Sequence, residues 1–246
     1  MGDKIEKVIK LQNVSKKFSL FHEKPTLIEN LVNKRKREEF WALKNINVEL
    51  DKNNKIGIIG ENGSGKTTLL EIIAGITTPS LGRVKTNGEI FSLIGLDAGF
   101  HPELNGEENI FLSGLVMGLS KNYLRKNLKA IIKYSELGKF IDAPLYTYSQ
   151  GMKLRLGFSI VAHADPDILL LDENLGVGDE RFYKKSFETI DQFFKKGKTI
   201  VMVSHSLEFI LKNCQRVIWL DKGEVRCDGE VKKIIGRYKK EMKKKN

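Results

Sequence analysis

Two kinds of apolar pattern alternate along this chain. Short runs such as Lys55-Ile56-Gly57-Ile58-Ile59, Ile168-Leu169-Leu170-Leu171 and Ile200-Val201-Met202-Val203 have almost no polar interruption, as expected of parallel strands buried on both faces. Between them lie longer stretches with apolar residues at helical spacing. Strands are predicted at 8–11, 46–50, 55–59, 90–94, 168–171, 199–203 and 217–220, with a turn at Lys222-Gly223 into a short strand at 224–227. Helices are predicted after residue 67 and at about 107–118, 123–135, 151–164, 181–195, 207–213 and 231–242. Strand–helix alternation in the second half points to an α/β core around a parallel sheet. Between about 95 and 165 strand patterns vanish, which predicts a helical subdomain inserted into that core.

One turn in this pattern carries chemistry. Gly60-Glu61-Asn62-Gly63-Ser64-Gly65-Lys66-Thr67 fits the phosphate-loop pattern G-x-x-x-x-G-K-[ST], placed between a buried strand and the helix opening at Thr68. Glycines let backbone N–H groups turn inward around phosphate oxygens, and the helix start adds its positive dipole end. Lys66 is expected to reach the β- and γ-phosphates and the Thr67 hydroxyl to ligate Mg²⁺. The predicted ligand is a nucleoside triphosphate.

Two further strand ends extend the reading. Ile168–Leu171 runs into Asp172-Glu173. In a phosphate-loop NTPase an Asp there orients Mg²⁺, usually through water, and a following Glu is placed to polarise water for attack on the γ-phosphorus. Val203-Ser204-His205 ends the next buried strand, so His205 is expected on the same rim, where open α/β sheets bind ligands. It is a candidate γ-phosphate contact.

Composition sets the setting. The 246 residues suffice for one domain with a subdomain, and 30% charged with 41% hydrophobic residues is ordinary for a globular chain. No apolar stretch approaches the roughly 18 residues of a membrane span, and residues 1–4 lead into no signal core. Cys214 and Cys227 form no spacing motif and are expected to be free thiols in a reducing compartment, so the chain reads as cytoplasmic. The net charge is +11. A tail, 239–246, with five lysines and one glutamate, and a run, 34–39, with four basic and two acidic residues, supply six of those charges. Such runs hold anionic lipid or nucleic acid, or are simply solvated. Neither is interleaved with aromatic residues for stacking bases.

Tyr148-Ser149-Gln150-Gly151-Met152, ahead of a helix and about 20 residues before Asp172, resembles the signature motif of ATP-binding-cassette ATPases. Ser149 and Gly151 match its common form, Leu-Ser-Gly-Gly-Gln. Asn174-Leu175-Gly176-Val177-Gly178-Asp179 resembles that family's dimer-interface loop, with Asp179 at the acidic position. The motif order agrees over nearly the whole chain. The resemblance implies a single cassette domain over 1–246: a phosphate-loop NTPase core, a small antiparallel β-subdomain and a helical subdomain at about 95–165. Two chains would sandwich ATP and Mg²⁺, with Ser149, Gln150 and Gly151 facing the γ-phosphate held by the other copy, and Glu173, His205 and Lys66 as the catalytic set. Family members stack adenine on an aromatic residue near the first strand. Phe18 is best placed here, with Phe40 and Trp41 as rivals. A Gln common near the core–helical junction is missing between Ile90 and Asn109; Leu96 or Asp97 occupies that region, and Asp97 could touch metal through water.

Gly99-Phe100-His101-Pro102-Glu103-Leu104-Asn105-Gly106-Glu107-Glu108-Asn109-Ile110 is similar to the corresponding stretch of polysaccharide-exporting members, as are Phe40-Trp41-Ala42-Leu43 and 218–223. The resemblance implies an ATPase subunit at the cytoplasmic face of the membrane. It would work with a permease in two copies and drive export of a lipid-linked polysaccharide of O-antigen or capsule type. Teichoic acid or another lipid or solute is the near alternative. A soluble ATPase acting on nucleic acid is the remote one, and no nucleic acid is expected. The chain ends soon after 234–238 in a basic helix or tail, so no sugar-recognition module is expected in this subunit. The stretch 20–39 exceeds the usual hairpin between the first strands. It either carries its basic run to membrane or partner, or is a plain loop.

Overall fold

A computed structural model of the chain describes residues 6–20, 38–96, 99–172 and 180–245. Asp97, Glu173, Asp179 and the basic residues 34–37 lie outside the described residues.

Two sheets organise the molecule. β1 (Lys7–Leu20), β2 (Glu38–Asp51) and β4 (Leu81–Thr86) form an antiparallel sheet in the order β2-β1-β4. The second sheet has six strands. Its order is β5 (Ile90–Ser92), β6 (Ile168–Leu171), β7 (Thr199–Val203), β3 (Lys55–Ile59), β8 (Arg216–Asp221), β9 (Glu224–Glu230). It is parallel apart from β9, which pairs antiparallel with β8 at one edge.

Continuous apolar strands divide their side chains between two cores, as a period of two requires. Leu169, Leu171, Ile200, Met202, Val217 and Trp219 face one core. Ile168, Leu170, Val201, Val203, Ile218 and Leu220 face the other. That second core also takes Val8, Leu11 and Leu50 from the antiparallel sheet and Leu69, Leu70, Ile72 and Ile73 from helix α1 (Lys66–Ile73). The phosphate-loop helix is thus packed between the two sheets.

Between β5 and β6 the named elements among the described residues are all helical: α2 (Gly106–Val116), α3 (Lys121–Ser135), two short 3₁₀ turns and α4 (Gln150–Ala162), with one isolated β-bridge between Asn105 and Pro144. Side-chain oxygens cap each α-helix. Asn105 accepts from the Glu108 N–H while the Glu108 carboxylate accepts from the Asn105 N–H, a full capping box. Ser120 and Ser149 each accept from the N–H three residues on. The remaining helices are α5 (Glu180–Lys195), α6 (Leu207–Asn213) and α7 (Val231–Lys245).

Elements found in the first half differ most from expectation. β1 and β2 run 14 residues each, far beyond 8–11 and 46–50, and β4 has no counterpart in the sequence reading. Register shifts break the period-two pattern of β1 against β2, with Asn13 and Asn45 at positive φ. β4 leaves every residue except Val84 exposed, so it carries almost no apolar alternation. The C-terminal helix expected over 231–242 runs on through the basic residues to Lys245: α7 buries Val231, Ile234 and Ile235 and sets Tyr238 edge-on to Trp219 at 5.1 Å. Cys214 and Cys227 are both free thiols.

Candidate functional site

Strand register assembles the site. Leu171 pairs with Met202 and Ile58 with Val203, so Asp172, His205 and Gly60 leave three adjacent parallel strands at one rim. β7 lies in the middle, and His205 and Gly60 stand at equal distance past a paired position.

Gly60 closes β3 and the loop turns over Gly63 and Gly65, both left-handed at φ 76° and 99°. A Cβ on Gly65 would lie 2.6 Å from the Ala42 carbonyl oxygen, so only glycine allows β2 to approach this closely. Gly65 then caps α1, whose first two residues are Lys66 and Thr67. Lys66 is buried, and its Nζ donates to the Gly60 and Glu61 carbonyls, each at 3.0 Å. The ammonium is therefore held across the mouth of the loop. Thr67 is exposed. Ser64 Oγ is buried without a hydrogen-bond partner among the described residues.

The turn between β8 and β9 braces this loop. Gly223 N–H donates to the Ser64 carbonyl at 3.1 Å, and its own carbonyl accepts from Lys44 N–H at 2.8 Å. Gly223 is left-handed, φ 83°, with its Cα close against Ala42. The sequence reading identified Lys222-Gly223 as a turn but not its contact with the loop. A positive-φ glycine between two strands is the signal for such a close approach, though not for what it approaches.

An open cavity of about 420 Å³ joins these parts. It is lined by Phe18, Phe40 and Ala42 from β1 and β2, by Asn62, Gly63, Gly65, Lys66, Thr67 and Thr68 from the loop and the start of α1, and by His205. Phe18 and Phe40 are stacked with centroids 5.7 Å apart, and Lys16 Nζ lies 5.1 Å from the Phe18 ring centroid. Trp41 does not line the cavity. The structure thus brings together the phosphate loop, Phe18 and His205.

Other predicted residues lie elsewhere. Ser149 and Gln150 are exposed and Gly151 half-buried at the start of α4, and none of them lines the cavity. Ser149 Oγ accepts from Met152 N–H at 3.2 Å, leaving the first turn of α4 open to the surface. Tyr148, just before it, is buried, and its hydroxyl donates to the Phe140 carbonyl at 2.5 Å. Desolvation pushes that hydroxyl up to about 12, with Asp142 adding to the shift. Leu96 is a core residue: a Cβ on Gly157 of α4 would lie 2.8 Å from its carbonyl oxygen.

The stretch 99–110 is built onto the approach to α4. Leu145 N–H donates to the Leu104 carbonyl and Tyr146 N–H to the Pro102 carbonyl, both at 2.9 Å. Asn109, fully buried, accepts from His101 N–H at 2.7 Å and donates to the His101, Leu104 and Asn105 carbonyls. Its side chain accounts for an Asn in a helix that would otherwise bury an unpaired amide.

A cation needs hard oxygen ligands here. Among the described residues no group of three or more His, Cys, Asp or Glu is arranged to hold a metal ion. Thr67 and Asp172 supply one hydroxyl and one carboxylate at the rim. Such a set fits an ion whose remaining ligands are phosphate oxygens and water.

Residues 43–176 match the ABC transporter family. The chain is 40% identical to an O-antigen export system ATP-binding protein, RfbB, of Klebsiella pneumoniae, over 97% of this chain and 100% of the relative. It is 46% identical to RfbB of Myxococcus xanthus over 80% of this chain and 45% of that protein. It is 43% identical to a teichoic acids export ATP-binding protein, TagH, of Lactococcus lactis over 94% of this chain and 50% of that protein. The chain therefore spans about half the length of the last two. The dimeric, post-hydrolysis ATP-binding cassette MJ0796 with ADP and Pi superposes with TM-score 0.67 at 25% identity, covering 91% of this chain and 98% of that one. The chain belongs to the ABC transporter family, as one of its ATP-binding, ATP-hydrolysing subunits.

Proposed function

We propose that this chain hydrolyses ATP to drive export of a lipid-linked polysaccharide of O-antigen or capsule type through a separate membrane permease. The observation carrying the nucleotide part is the single cavity that joins Phe18, the phosphate loop and His205. The export part rests on relatives that are O-antigen and teichoic acid export ATP-binding proteins. Teichoic acid is the second reading, favoured by the TagH relatives.

Lys66 and the loop amides neutralise phosphate charge, while Phe18 stacks on the base. Thr67 and Asp172 would hold Mg²⁺, which supplies charge neutralisation between the phosphates when bound. Glu173 orients or deprotonates the attacking water, and His205 donates to the γ-phosphate. Ser149, Gln150 and Gly151 act on the nucleotide of a second copy, with Asp179 at the interface between copies. Asp97 would contribute to holding the metal through water. Passage of the cargo falls to the permease, with this chain at the cytoplasmic face, a reading supported by the export ATP-binding relatives.

Glu173→Gln is expected to keep ATP binding and trap a long-lived ATP-bound dimer. Its turnover should fall by about 10²–10³, the usual scale for losing one preorganised group. Near wild-type turnover would remove Glu173 from the role of base. For the export step, Lys66→Ala in cells should leave lipid-linked polysaccharide inside the membrane; undiminished surface polysaccharide would rule the reading out.

A further inference from the structure

Helix α3 ends in an unusual cap. Glu136 follows Ser135 in the left-handed conformation, φ 55°, ψ 29°, a position glycine ordinarily takes because a Cβ is strained there. Three successive carbonyls at the end of α3, those of Tyr134, Ser135 and Glu136, accept from cations of two other helices. Arg155 of α4 donates from Nε to the Ser135 carbonyl at 2.9 Å and from Nη2 to the Glu136 carbonyl at 2.5 Å. Lys185 of α5 donates from Nζ to the Tyr134 carbonyl at 2.8 Å and to the Glu136 carboxylate at 2.7 Å. The same ammonium sits 4.1 Å from the Tyr134 ring centroid, and the Tyr134 hydroxyl lies 2.6 Å from Thr189 Oγ1 of α5. Below them Tyr134, Phe158 and Phe182, one from each helix, pack edge-on or stacked within 6.2 Å. Cations at a helix C-terminus satisfy orphan carbonyls and complement the dipole, but here they also bind three helices at one point. A strained non-glycine cap is retained where its side chain has work that glycine cannot do.

We propose that Glu136, Arg155 and Lys185 are positioning residues that fix the direction of α4 against α5 and the central sheet. Ser149, six residues before Arg155 at the start of α4, is thereby presented to the second copy's nucleotide in one orientation. This rests on the proposed action of Ser149 in trans.

The test uses the full chain carrying Glu136→Gly, Lys185→Met or Lys185→Arg. Glu136→Gly relieves the strained cap and removes the side chain with its carboxylate while leaving the backbone carbonyl, so thermal stability should hold or rise. Lys185→Met keeps the aliphatic stem over Tyr134. In both, ATP affinity of the single chain should change by less than about twofold, while turnover at saturating ATP falls about tenfold or more. Lys185→Arg should recover most of that turnover. Wild-type turnover in the first two variants, or a loss that merely follows a fall in melting temperature, overturns the proposal. Ser149→Ala is measured beside them: full turnover there overturns the trans role itself, whatever the cluster variants do.

Discussion

Phe18 and Phe40 face each other across the β1–β2 pair as a registered cross-strand couple, ring centroids 5.7 Å apart and planes 26° apart. Their shared edge opens on the cavity above the phosphate loop, and Lys16 and Lys17 lie over Phe18 and Trp41 from the same strand. Removing one ring strips half of a stacked pair and one wall of the cavity. Phe18→Ala is expected to weaken ATP binding by about 1–3 kcal/mol, the range for losing an aromatic under a base. Trp41→Ala, away from the cavity, should leave affinity within about twofold. Titration calorimetry with ATP distinguishes the two.

Lys66 Nζ donates to two carbonyls of the loop, those of Gly60 and Glu61. Lys66→Ala removes the charge while leaving the loop glycines in place. Turnover is expected to fall by about 10²–10³, with a melting temperature close to wild type, measured by phosphate release and calorimetry.

Gly223 tolerates no side chain. At φ 83°, a Cβ would stand 2.7 Å from the Ala42 carbonyl oxygen. Gly223→Ala should destabilise by about 1–3 kcal/mol through backbone strain alone. It should also weaken ATP binding, because the Gly223 N–H to Ser64 carbonyl bond must lengthen. Gly75→Ala, with φ 74° but nothing within 4 Å of the new Cβ, separates strain from contact and should leave ATP affinity unchanged. Denaturant melts and nucleotide titrations of both variants read the difference.

Burial pushes the Cys214 thiol up to about 12 from 9.0 and the Tyr148 hydroxyl up to about 12 from 10.0. Both groups stay protonated in the fold where the unfolded chain has lost the proton. Between those pH values the unfolded state binds fewer protons, so stability falls as pH rises. The contribution is complete below pH 9 and is lost progressively up to about 12. Urea melts at pH 8 and pH 10.5 should show the decline. Cys214→Ala should make it shallower, and Cys214 should resist alkylation at pH 8 until the chain unfolds.

The inner strands of the central sheet were legible because they are short, almost wholly apolar and flanked by helices, as in the run Ile168–Leu171. The phosphate loop was legible for a related reason: its lysine, threonine and glycines occupy fixed positions between such a strand and a helix. The antiparallel sheet was not. Gln12, Asn13 and Asn45 interrupt β1 and β2 where the register shifts, and β4 is exposed along nearly its whole length. The C-terminal helix was legible from its apolar spacing to residue 242, and Tyr238 and Met242, which pack against the core, carry it on through Lys245. The junction near Leu96 was legible only as an absence, since a leucine facing Gly157 belongs to packing and not to a ligand set.

Ala42, Lys44, Ser64 and Gly223 meet through main-chain atoms. A joint of that kind is indifferent to which side chains surround it. The aromatic wall on β1 and β2 can therefore be exchanged, ring by ring, without altering the distance from wall to phosphate loop. Base preference and phosphate grip are in this way separately adjustable properties of one fixed frame.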